Sequence, residues 1–132
     1  MEARRTNGWT PLVHAAYGGH LNFARFLLEE GADVHVLTGQ SSNCLHIAAA
    51  AGHAAVARLF IDHGLDPNSL NVNKATSMQV ACNAGHLDVV KLLVEKGADI
   101  EAYHGDGRPA LMEATGSGYP KIIQFLIESR AD

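Results

Sequence analysis

Residues 7–20 read NGWTPLVHAAYGGH. A Thr-Pro pair opens this stretch, a Gly-Gly-His closes it, and between them lie small and apolar residues. Thr10 is suited to be an N-cap, its hydroxyl taking up an unpaired N–H of the first turn. Pro11 falls at the first helical position, where a missing N–H costs nothing. A helix of about eight residues, a little over two turns, is predicted to follow. Gly18 and Gly19 stop it, because glycine tolerates the left-handed backbone that a chain reversal needs.

Working outward, a second helix is predicted from Leu21 to about Glu30. Phe23, Ala24, Phe26, Leu27 and Leu28 spread over an apolar face wide enough to touch neighbours on two sides. Gly31 ends that helix, and ADVHVLTG at 32–39 reads as an extended excursion and turn.

The bracket then returns every 33 residues without a gap: Gly19-His20, Gly52-His53, Gly85-His86 and Gly118-Tyr119. The same step carries Leu12 to Leu45, Met78 and Leu111, and the GAD at 31–33 to GLD at 64–66, GAD at 97–99 and RAD at 130–132. Helices this short are marginal in water, so neighbouring units must supply their stability. Alanines at 15, 16, 48, 49, 81 and 114 would let adjacent first helices approach closely. The expected fold is an all-α solenoid of about four helix-turn-helix units joined by protruding turn tips. Residues 1–132 are read as a single domain with units at about 7–39, 40–72, 73–105 and 106–132, the last cut short.

These residues resemble the ankyrin repeat family, with its T-P-L-H-x-A-A-x-x-G-H signature and G-A-D turn. TPLVHAA and GGH stand in the first unit, NCLHIAA and AGH in the second, TSMQVAC and AGH in the third, PALMEAT and SGY in the fourth. The resemblance covers residues 7–132 and implies that partners are proteins, bound through turns and inner helices without a cofactor. It also implies a modification: Asn68, in GLDPN, matches the asparagine that is hydroxylated in such repeats, although Pro67 departs from the usual aliphatic residue.

Composition narrows the function classes. The chain is 47% hydrophobic and 18% charged, which is enough apolar surface for a core. Net charge is −4 and the ten Lys and Arg are scattered, so no nucleic-acid partner is expected. Arg4 and Arg5 read as a solvated terminus. The greasiest run, IAAAAGHAAVARLFI at 47–61, is too short and too interrupted to insert in a membrane. MEARRTNG is not an apolar leader, and two cysteines without a CxxC pair suit the reducing cytoplasm or nucleus.

Chemistry finds little purchase. His20, His53 and His86 hold one repeat position, spaced about 10 Å apart if units stack at helix-packing distances, and cannot share one metal ion. They are expected to bond backbone groups between units. His46, at the signature histidine, is expected to be structural, and His14, His35, His63 and His104 lack ligand spacing. Cys44 opens a helix but has no histidine placed to activate it, and Cys82 is expected to pack. Glu113 has no second carboxylate in its register. No enzyme activity, cofactor or metal is expected.

Recognition is expected on residues that the repeat does not need, which stacking would place along one concave face of turn tips and first helices. These are Thr6, Asn7, Trp9 and Tyr17 in the first unit and Leu37, Gln40, Ser42, Ala50 and Ala51 around the second. Leu70, Val72, Asn73, Ala75, Asn83 and Ala84 follow around the third, and Tyr103, Asp106, Arg108 and Ser117 around the fourth. Trp9, Tyr17, Tyr103 and Arg108 are the residue types that most often anchor interfaces, the alternative for Trp9 and Tyr17 being packing over the open end of the first unit. The small residues would leave a shallow channel for a protein or linear peptide. Ile122, Ile123, Phe125, Leu126 and Ile127 crowd the final helix, so that end is expected to be exposed and to self-associate or meet further repeats.

Overall fold

A computed structural model describes residues 9–38, 41–100 and 118–130. These residues form seven α-helices and no strand: α1 (Pro11–Gly18), α2 (Leu21–Glu29), α3 (Cys44–Ala51), α4 (Ala54–Asp62), α5 (Ser77–Ala84), α6 (Leu87–Glu95) and α7 (Pro120–Arg130). The helices stack in two rows. In the first, α1 packs on α3 and α3 on α5; in the second, α2 packs on α4, α4 on α6 and α6 on α7. Each pair α1–α2, α3–α4 and α5–α6 also packs internally. The result is the all-α solenoid of stacked helix-turn-helix units that the period predicts.

Local chemistry starts each first-row helix. The Thr10 hydroxyl accepts from the Val13 N–H at 3.4 Å. Asn43 and Thr76, at the same repeat position, go further and form reciprocal capping boxes. In α3 the Asn43 side chain accepts from the His46 N–H at 2.9 Å while the Asn43 N–H donates to His46 Nδ1 at 3.1 Å. In α5 the Thr76 N–H donates to Gln79 Oε1 at 2.9 Å. Gly19, Gly52 and Gly85 end these helices with φ of 71°, 83° and 83°, a conformation that a side chain makes costly.

The same glycines do a second job. A Cβ on Gly52 would lie 2.7 Å from His86 Nδ1, and one on Gly19 or Gly85 would meet the ring of His53 or Tyr119. A ring from each unit thus lies on the bare backbone of the unit before it. His86 Nε2 also donates to the Ala50 carbonyl at 3.1 Å, the backbone bond between units that the repeat position suggests.

The core is a continuous aliphatic seam. Leu12, Leu45, Met78, Phe60, Leu93 and Leu126 are buried in it, with Ala15, Ala48 and Ala81 fully buried on the first-row helices. Two expectations about its ends need correction. Ile122 and Leu126 are buried against the stack rather than left open, because they point back toward the preceding unit; of the five apolar residues of α7, Ile127 alone is exposed. Conversely, Phe23 and Phe26 of α2, expected on a face covered from two sides, are exposed.

Candidate functional site

Between consecutive units the chain leaves the second-row helix and runs out into a tip. The tip after α2 closes where the Thr38 N–H donates to the Ser42 carbonyl at 2.9 Å, and the tip after α4 where the Asn71 N–H donates to the Ala75 carbonyl at 3.0 Å. Asn71 Oδ1 reinforces the latter by accepting from the N–H groups of Asn73 and Ala75 at 2.9 and 3.1 Å. Both tips force one non-glycine residue into the left-handed region, Ser41 at φ 58° and its repeat counterpart Lys74 at φ 59°. The approach to each tip is shaped by an aspartate: Asp33 and Asp66 carboxylates accept from the His35 and Asn68 N–H groups, each at 2.9 Å. Asn68 Oδ1 in turn accepts from the Asp99 N–H at 2.8 Å, tying one tip to the next.

A groove of about 260 Å3 opens between the first two tips, lined among others by His35, Leu37, Ser41, Asp66, Ser69 and Leu70. Leu37 and Leu70 hold the same repeat position and are 51% and 44% exposed, which leaves an apolar pair at its rim. Val72 and Asn73 are exposed beside them, and Ser42 is half-buried. On the first-row helices Ala50 and Asn83 are exposed, and Ala51, Ala84 and the tip residue Ala75 are half-buried.

At the first unit, Trp9 differs from a free tip residue. It stands one residue before the Thr10 cap, is half-buried, and packs against the core. Its ring meets His14 edge-on at 5.0 Å between centroids and Tyr17 at 5.5 Å. Tyr17 is 61% exposed, so the cluster presents an aromatic surface braced from behind by the indole. Trp9, Tyr17 and the groove residues are therefore placed, while Thr6, Asn7, Gln40, Tyr103, Asp106, Arg108 and Ser117 lie outside the described residues, as do His104 and Glu113.

The titratable groups next to this surface are structural. His46 is buried, accepts at Nδ1 from its own cap, and therefore carries its proton on Nε2, which donates to the Ser69 carbonyl at 3.0 Å. Burial holds its pKa below the ordinary imidazole range despite that bond. His46 thus links the start of α3 to the wall of the groove, a role readable from its signature position; the capping box it completes is not, since histidine is outside the usual Ser/Thr-x-x-Glu/Gln pattern. Burial, with a smaller push from Asp33, raises the Cys44 thiol to about 12, so it is neither thiolate nor nucleophile at neutral pH. Cys82 is buried as well. Among the described residues no group of three or more His, Cys, Asp or Glu side chains is arranged to hold a metal ion, and no helix is long and apolar enough to cross a membrane.

A family model described as ankyrin repeats (3 copies) matches the chain in three overlapping stretches, residues 1–71, 19–104 and 45–132. Repeats of this kind are generally protein–protein interaction modules and are typically not enzymes. With stacked helix pairs, ring-on-glycine contacts and a match over its whole length, the chain belongs to the ankyrin repeat family.

Proposed function

We propose that the protein is a binding module, an adaptor or recruiter, that takes a protein or linear peptide along its turn tips and first-row helices. Residues 1–132 act in this reading as one domain of four units, working in the cytoplasm or nucleus. The observation that carries it is the pair Leu37 and Leu70: exposed apolar side chains at one repeat position, on the rim of one groove, at a place the scaffold does not need. Tyr17, backed by Trp9, is the aromatic anchor at one end of the same track, with Ser42, Val72, Asn73 and Asn83 as flanking contacts. Asn7, Gln40, Tyr103, Asp106 and Arg108 extend the surface by their repeat register.

Loss of a central aromatic anchor typically costs about 2 kcal/mol or more, roughly thirtyfold in affinity. Affinity capture from cell extract, with the captured protein identified by mass spectrometry, is expected to lose its partner on Tyr17→Ala and on Trp9→Ala while circular dichroism stays unchanged. Undiminished capture by both variants would count against this surface.

A further inference from the structure

Leu37 and Leu70 stand one repeat apart, both exposed, on the rim of the groove between the first two tips. At the spacing of packed helices that separation is about 10 Å, which any peptide laid across the tips has to match with side chains on one of its faces. Regular backbones differ in how they meet this demand. An α-helix needs seven residues to set two same-face side chains about 10.5 Å apart, and at about 10–12 Å across it is too wide for a cleft of this size. A β-strand covers about 10 Å in three residues, but its side chains alternate, so residues i and i+3 point to opposite faces. Polyproline II rises about 3.1 Å per residue with three residues per turn, which puts i and i+3 on one face about 9.3 Å apart. That helix fits the rim.

Charge adds a third point. Asp66 is the one carboxylate among the groove's lining residues, and no Lys or Arg stands among them. Its side chain is exposed and steadied by accepting from the Asn68 N–H at 2.9 Å, and Asp33 is exposed at the same repeat position one tip earlier. A cationic side chain is favoured beside such a group, and an anionic one is turned away.

We propose, resting on the tip-binding reading above, that the groove takes a basic peptide in the polyproline II conformation. Two aliphatic residues three places apart sit against Leu37 and Leu70, and an Arg or Lys between them reaches sideways to Asp66. A backbone of this kind is already extended before it binds, so little ordering entropy opposes the contact.

Fluorescence anisotropy with the full 132-residue chain and a labelled probe, Pro-Pro-Leu-Pro-Arg-Leu-Pro-Pro, tests this. Wild type is expected to bind that probe, and to bind roughly tenfold more weakly when the second Leu is moved one place closer or when Arg is replaced by Glu. Leu37→Ser and Leu70→Ser, both at exposed positions, should each weaken binding by a similar factor. Asp66→Asn should erase the preference for Arg over Glu with thermal unfolding unchanged, because the amide oxygen still accepts from the Asn68 N–H. No binding by wild type at millimolar concentration, equal binding of the shifted or Glu probe, or an Arg preference that survives Asp66→Asn would each overturn it. A captured protein that is lost on Tyr17→Ala yet is not displaced by excess probe would also overturn it, while leaving the tip-binding reading in place.

Discussion

His46 shows how one side chain can serve as cap and tether at once. Its neutral ring closes the α3 capping box and donates to Ser69, and burial holds its pKa below the ordinary range. The native state thus sheds a proton that the unfolded chain keeps below about pH 6.5. Stability from this group is complete above that value and is lost as pH falls through the lower, folded value. Thermal melts are expected to fall as pH is lowered below about 6.5, the unfolded value. His46→Gln, which copies the Gln79 arrangement of the next unit, should flatten that drop; equal slopes in the two proteins would contradict the assignment. Ser77 offers a converse case. Its Oγ is buried and lacks a hydrogen-bond partner among the described residues, where the counterpart in the preceding unit is Cys44. Removing an unsatisfied buried hydroxyl recovers about 1 kcal/mol, so Ser77→Ala is expected to raise the urea midpoint. The signature positions announced His46 as structural, yet not the depth of its burial, which depends on Ser69 arriving from the next tip.

At the scale of elements, the eight-residue first-row helices hold because each is started by a side-chain cap, stopped by a left-handed glycine and buried on its neighbours, whereas the nine-residue helices lack a side-chain cap bond and depend on packing. The caps and stops were legible in residues 7–31, since caps, proline and glycine act locally. Contact between units was less so. Gly52→Ala suffers left-handed strain, about 1–2 kcal/mol, and also drives a methyl into the His86 ring. Gly31→Ala, at φ 94° with nothing within 4 Å of the new methyl, suffers the strain alone. Chemical denaturation should therefore show Gly52→Ala as the more damaging by about 1 kcal/mol or more. Equal losses would mean that the ring does not rest on the glycine. Exposed ion pairs across the second row, Arg58 with Glu95 and Lys96 with Asp62, each at 3.0 Å, contribute little by comparison.

For the whole molecule, the period dictates the architecture and leaves one track free for recognition. Leu37 and Leu70 keep one apolar residue at an exposed repeat position, and only the fold shows that the two rim one groove. The two ends were harder to read. Phe23 and Ala24 are both apolar neighbours on one helix, and only burial along the stack reveals that the first faces backward and the second forward. Hence Ile122 and Leu126, which look like an open end in sequence, are covered, and the exposure lies at Ile127 and, on the first unit, at Phe23 and Phe26. Partner recognition by the tips is tested most directly by comparing capture on two surfaces of one molecule. Leu37→Glu combined with Leu70→Glu is expected to abolish binding of the captured protein, while Phe23→Glu combined with Phe26→Glu leaves it intact. Binding that survives the first pair and is lost with the second would contradict recognition through the tips.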